Sequence, residues 1–304
     1  MSEVRRKALG RDVGLSARML LTGGLLGLLY VVFAVVLFSI LDVGLFAMVL
    51  LVGGLALFQY FTSDKLALAA SGARVVGPDE APALHAMVER LCALADLPKP
   101  KLAIIDSDVP NAFATGRSPK HAAVAVTRGL WERLEAREVE GVLAHELAHV
   151  GNRDVLVMTL ASFFAMLAGV LTRFAMYSGM FGGGRGRDNG PPIWLIVLAV
   201  SVLTYAISFV LIRALSRYRE YAADRGAAVI TGAPENLMSA LQKITGEMAR
   251  IPQRDLRQVQ AMNAFFIIPT NIGARALALL QTHPPTEKRL AALAEIARDM
   301  GRPV

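Results

Sequence analysis

Val142-Leu143-Ala144-His145-Glu146-Leu147-Ala148-His149-Val150-Gly151-Asn152-Arg153-Asp154 is the stretch on which the reading of this chain turns. Residues four apart on a helix lie one above the other on the same face, so the imidazoles of His145 and His149 can reach one metal ion. Glu146 falls beside them, where it can hold a metal-bound water and act as a base. Val142, Leu143, Leu147 and Val150 supply an apolar backing for such a helix. The chain has only five histidines, and this motif uses two of them. The spacing predicts a single zinc ion, held in part by His145 and His149, with Glu146 as catalytic base.

A catalytic zinc takes three protein ligands and keeps one position open, so a third ligand must come from elsewhere. Arg219-Glu220-Tyr221-Ala222-Ala223-Asp224 offers one. Glu220 and Asp224 are again four apart on one helical face. That allows Glu220 to ligate the metal while Asp224 accepts a hydrogen bond from a ligand histidine and fixes its tautomer. Taken alone the segment reads equally as a charged surface helix. Its place directly after a long apolar run, mirroring the first motif directly before one, points to the metal.

Those apolar runs set the fold class. Hydrophobic residues make up 54% of the 304, and the mean hydropathy is positive, high for a soluble protein. No Asp, Glu, Lys or Arg lies between Arg18 and Asp42, between Asp42 and Asp64, between Asp154 and Arg173, or between Asp188 and Arg213. Each gap approaches or exceeds the roughly 20 apolar residues that a helix needs to cross a bilayer. The reading is four transmembrane helices carrying an α+β, zincin-like catalytic domain with a small sheet, in a mainly α membrane protein. Residues 1–64 form a tail and a transmembrane hairpin turning near Asp42, and 65–154 the first catalytic part. Residues 155–214 form a second hairpin with a Gly-rich loop at 179–190, and 215–304 the second catalytic part. Arg5, Arg6, Lys7, Arg11 and Arg18 resemble the basic region of a signal peptide, but the apolar run at 19–41 is too long for one and a second span follows at once. With an even number of spans the basic tail and both catalytic parts face the cytoplasm, as do Arg213, Arg217 and Arg219; Arg185 and Arg187 in the Gly-rich loop argue the other way. Cys92, the single cysteine, forms no internal disulfide and reads as a small core residue. The net charge of +7 lies partly at membrane-flanking sites, where it meets lipid head groups; no nucleic-acid motif accounts for it.

Between the hairpins, Pro82–Ala95 has Leu84, Val88, Leu91 and Leu94 at helical spacing. Lys101–Ile105, residues 111–115 and Ala122–Thr127 are β-prone runs separated by Asp, Pro, Gly and Ser, and predict a small, mostly antiparallel sheet. Residues 139–152 read as a helix running on toward the third span, unless Gly151 and Asn152 form a flexible joint. Residues 217–230, 234–250, 272–281 and 286–300 read as further helices. His85 and His121 have no partner pattern. Arg217, Arg219 and Arg289 are most simply read as helix charges, though an arginine near the cleft could also serve the site.

Asn111-Ala-Phe-Ala, the stretch from His145 to Asp154, Glu220-Tyr-Ala-Ala-Asp224 and His283-Pro-Pro-Thr-Glu-Lys-Arg289 together resemble the HtpX-type membrane zinc metalloproteases, relatives of the CaaX prenyl endopeptidases. The resemblance covers nearly the whole chain, with no departure at the ligands or the base. It implies a protease of the bacterial inner membrane, facing the cytoplasm and serving membrane-protein quality control under stress. By the resemblance, Asn111 lies on the strand lining the cleft, where its amide bonds the substrate backbone or the developing oxyanion. A β-turn asparagine after Pro110 is the alternative. His283 either stabilises the transition state or buttresses the site, or else merely starts a helix. An extended substrate along a sheet edge is held mainly by backbone hydrogen bonds, which suits unfolded polypeptides and misfolded membrane proteins. Three rival readings are a catalytically silent membrane scaffold, which would show a damaged ligand set, a transporter component, and a prenyl-protein endopeptidase. Four spans are few for the enclosed chamber that the last would need.

Overall fold

The structure, a computed structural model, describes residues 13–41, 45–181, 192–250 and 283–302. The basic residues before position 13, the turn at Asp42, residues 182–191 with Arg185 and Arg187, and the helix expected at 272–281 lie outside them. The first two uncharged runs form α1 (Val13–Leu41) and α2 (Leu45–Ala70). The third and fourth lie in α6 (Asp154–Phe181) and α7 (Ile193–Thr231). Among the described residues, three segments are long and apolar enough to cross a membrane: Gly14–Ser39, Leu156–Tyr177 and Ile193–Thr231. Their outer faces carry large apolar side chains in the open, Leu28, Val31, Val170, Leu203 and Val210 among them, as a lipid-facing surface does. Inside, Tyr30 of α1 donates to the Ala161 carbonyl of α6 at 2.5 Å, satisfying a hydroxyl that would otherwise be stranded.

The segment between the hairpins folds as β1 (Arg74–Val75), α3 (Pro82–Ala95), β2 (Lys101–Ile105), β3 (Ala112–Gly116), β4 (Ala122–Thr127), α4 (Arg128–Arg133) and α5 (Ala136–Gly151). The sheet order is β1-β2-β4-β3. It is mixed: β1 runs antiparallel to β2 and β3 to β4, but the central pair β2 and β4 is parallel, from Lys101 opposite Ala123 to Ile105 opposite Thr127. Two of the three pairings are antiparallel, as expected; the central pair is not, because β3 lies on the far side of β4, which leaves β2 and β4 to meet in the same direction. β1, two residues long, carries too short a pattern to be read in the sequence. In α3 the buried stripe is Leu84, Val88, Leu91 and Cys92; Leu94 is exposed, since one turn beyond Leu91 the helix has left the core.

α5 runs under the sheet and packs against α3, α7 and α8 (Pro234–Arg250), with α9 (Thr286–Asp299) closing the far side. Its start is set by Glu138, whose buried carboxylate accepts from the Glu135 backbone N–H at 2.8 Å and from Lys243 at 2.9 Å. The core around it is Leu102, Val124, Val142, Leu143, Leu147, Leu237 and Leu241. The helix does not run on into α6. Asn152 and Arg153 break it, Arg153 at φ 56°, and α6 starts afresh at Asp154. α7 behaves differently. Its 39 residues, about 58 Å at 1.5 Å per residue, exceed a bilayer core, so one unbroken helix is long enough to cross a membrane and still carry Glu220 beyond it.

Candidate metal centre

α5 presents His145 and His149, and α7 brings Glu220 against them. One ligand atom from each lies within 4.8 Å of the others. The two Nε2 atoms are 3.1 Å apart. Glu220 places Oε2 3.6 Å from His145 Nε2 and Oε1 3.5 Å from His149 Nε2. Side-chain exposure is 2% for His145, 7% for Glu220 and 11% for His149, so the cluster opens to solvent on the His149 side.

The outer nitrogens fix the chemistry of the inner ones. His145 Nδ1 lies 3.0 Å from Asp224 Oδ1, and His149 Nδ1 lies 2.6 Å from Asp154 Oδ2. A ring nitrogen facing a carboxylate is assigned the proton, so each Nε2 turns a lone pair inward. Two lone pairs and a carboxylate at these separations repel one another unless a cation lies among them. Burial disfavours charge on His145, but the Asp224 and Glu220 carboxylates outweigh it and push its pKa up to about 9. The cluster therefore demands positive charge. Two imidazoles and one carboxylate are also the donor set of a divalent-metal site with an open position.

Glu146 points to the sheet. Thr127 N donates to the Asn111 carbonyl at 2.9 Å, which puts residues 111, 113 and 115 in hydrogen-bonded register with β4 and turns the polar backbone groups of Ala112 and Ala114 to the side of β3 that pairs with no strand. Ala114 N uses that freedom to donate to Glu146 Oε2 at 2.8 Å. Burial raises the Glu146 pKa above the usual carboxylate value, although His145 and His149 oppose the shift.

Every candidate site residue read from the sequence is among those described. Asp224 faces His145, and His283 Nδ1 lies 3.1 Å from Glu220 Oε2. Asn111 is buried directly ahead of β3, its backbone N–H donating to Thr127 Oγ1 at 2.8 Å, rather than sitting in an exposed turn. Two arginines read most simply as helix charges are buried. Arg219 and Arg289 are 7% and 2% exposed. Arg289 grips Asp224 through Nε at 2.9 Å and Nη2 at 2.6 Å, and lies 3.5 Å from Glu220. Arg219 Nε lies 2.9 Å from Asp154 Oδ1. Asp154 was legible only as the last residue of a motif, five beyond His149. The Ala114 N–H, a backbone group, has no sequence signal at all.

The sequence model of Peptidase family M48 matches residues 78–297, which take in β2 to β4, both ligand helices and most of α9. The chain belongs to peptidase family M48. It is thus a membrane metalloprotease of this family. A Protease HtpX homolog of Moorella thermoacetica is 54% identical over 296 residues, covering 97% of this chain and 98% of its own length. A Protease HtpX homolog 1 of Streptomyces coelicolor is 50% identical, covering 95% of each chain. A Protease HtpX homolog of Pyrococcus furiosus is 43% identical over 80% of this chain. Among solved structures, the crystal structure of S. mikatae Ste24p is similar with a TM-score of 0.52 at 20% identity, over 89% of this chain. That likeness concerns the fold; this chain spans 62% of the length of Ste24p.

Proposed function

We propose that this member of family M48 is a membrane-embedded zinc endopeptidase in which His145, His149 and Glu220 hold one zinc ion and Glu146 is the catalytic base. The observation that carries the reading is the meeting of two imidazole lone pairs with the Glu220 carboxylate, beside a glutamate tied to the backbone of the edge strand β3. When bound, zinc supplies Lewis-acid activation of a water and of the scissile carbonyl. Glu146 accepts the proton that the water loses as its oxygen bonds to the acyl carbon. It returns that proton to the nitrogen as the C–N bond breaks. The Ala114 N–H holds one carboxylate oxygen of Glu146 in place, and burial raises the pKa of that carboxyl above the usual carboxylate value. Asp224 orients His145. Asn111 and His283 are assigned to the substrate and the transition state, supported by the burial of Asn111 beside β3 and the approach of His283 to Glu220.

The substrate lies extended along β3, the strand whose far side pairs with no other strand. Backbone pairing reads few side chains, so the substrate class is unfolded polypeptide and misfolded or damaged membrane protein. α2 acts as a fourth span: residues 45–63 lack charge, and Leu50, Leu57 and Phe58 are exposed along it. The two catalytic parts, 65–154 and 215–304, then lie on one side of the membrane, with the hairpins 1–64 and 155–214 in it. That side is the cytoplasm, the membrane being the bacterial inner membrane. Purified protein tests the reading. One zinc per chain and cleavage of casein that a chelator abolishes are expected, with Glu146→Gln keeping the zinc and losing hydrolysis. Cleavage by Glu146→Gln at the wild-type rate would sink it.

A further inference from the structure

His149 is the most solvent-exposed of the three ligand residues, and it stands one turn from the point where α5 breaks. Asn152 N donates to Ala148 O at 2.9 Å and Arg153 N to Val150 O at 3.1 Å, which ends the helix; Asn152 and Arg153 are both exposed. Helical hydrogen bonding therefore does not hold α5 at a set angle to α6. A side chain does. Asp154, the first residue of α6, is 1% exposed and uses its two oxygens on two different helices: Oδ2 faces His149 Nδ1 of α5 at 2.6 Å, and Oδ1 faces Arg219 Nε of α7 at 2.9 Å. Arg219 adjoins Glu220 in the same helix. Consecutive residues of α7 thus reach the metal cluster by two routes, one directly and one through a carboxylate that belongs to the membrane helix α6.

α6 and α7 pack against each other, with Gly169 set against the ring of Tyr205. Any change in how the two lie together displaces Asp154 relative to Arg219. A carboxylate that loses its arginine, buried as this one is, loses its fixed position, and the imidazole it faces is then free to turn. We propose that Asp154 and Arg219 are positioning residues that make the orientation of His149, and through it metal affinity, depend on the seating of membrane helix α6 against α7. The inference rests on the metal-site reading above.

Full-length protein in detergent, stripped of metal and titrated with zinc against a chromophoric chelator, provides the test. Wild type should bind one zinc that His145→Ala abolishes; absence of that binding overturns the site reading itself, independently of the pair. Asp154→Asn should weaken zinc binding by about 10–100-fold. Arg219→Gln should weaken it too, with Arg219→Lys recovering most of the loss, and should have no further effect in the Asp154→Asn background, because Arg219 acts only through that carboxylate. Gly169→Phe, which wedges the seam far from the metal, should lower affinity in the wild-type background and not in Asp154→Asn. The melting temperature of the metal-free protein separates this from mere loosening. A purely structural role would lower that temperature and leave zinc affinity within twofold, which overturns the proposal. So does an Arg219→Gln loss of equal size in both backgrounds, or unchanged affinity in Gly169→Phe.

Discussion

Asp224 faces His145 on one side and is gripped by Arg289 on the other, and all three are buried. Its removal therefore has two separable effects. Asp224→Ala leaves the Arg289 guanidinium without its main partner in a dry site and should destabilise the metal-free protein by about 3–5 kcal/mol. It should also weaken zinc binding by about 10–100-fold, since His145 loses the group that orients it. Calorimetry on the metal-free protein and zinc competition read these separately, and an unchanged melting temperature would count against the buried pairing. Glu138 shows the opposite balance of forces. Burial works against its charge, yet Lys243, Ser239 and the Glu135 N–H together hold its carboxyl below the usual value. Because the folded-state pKa lies below the unfolded one, the stabilisation is complete above the unfolded pKa of about 4.3 and is lost as pH falls through the folded value. Glu138→Gln should cost about 1–3 kcal/mol at pH 7. Melting of both proteins across pH 7 to 3 should show that difference shrinking below about pH 4; a constant difference would remove the carboxylate charge from the explanation.

Among the elements, the contact that decides the site is α5 against α7. A Cβ on Gly226 would sit 2.6 Å from the Ala148 Cβ, closer than two carbons approach without one helix moving. Ala148 adjoins His149, and Gly226 lies six residues beyond Glu220, so this close approach brings the third ligand to the other two. Gly226→Ala should cost about 1–3 kcal/mol by overpacking and should weaken zinc binding at the same time. Gly246, inside α8, has no described atom within 4 Å of such a Cβ. Gly246→Ala should instead stabilise by about 0.5–1 kcal/mol, through helix propensity alone, with zinc affinity unchanged. Parallel denaturation and zinc titration of the pair decide it: equal effects would mean that the close approach at Gly226 is unimportant.

For the whole molecule, the orientation in the membrane is the open quantity that a single experiment reaches. The proposed arrangement puts residues 182–191 on the outside and both catalytic parts within. Cys92 is buried and its thiol is pushed by burial up to about 11, so it competes poorly for thiol reagents, and Cys92→Ala removes it altogether. In that background a cysteine placed at Gly184 should react with an impermeant reagent in intact cells, while one at Lys65 should react only after lysis. The reverse pattern inverts the topology.

Much of this molecule was legible before folding. The zinc motif, the pairing of Glu220 with Asp224, the long uncharged runs and the helix starts at Pro82, Pro234 and Thr286 are local signals, carried by spacings of three or four residues or by the bare absence of charge. What only the tertiary structure decided involves partners far apart in sequence. Arg289 as the grip on Asp224, Arg219 as the partner of Asp154, the parallel pairing of β2 with β4 and the Ala114 N–H that holds Glu146 have no local signature. An arginine on a helix reads as solvated whether or not a carboxylate from another helix awaits it, and a backbone N–H reads as nothing. The break at Arg153 belongs with these, because the stretch from His149 to Asp154 suits a continuous helix as well as a joint. The break sets Asp154 where its carboxylate meets both His149 and Arg219, partners that no local pattern names.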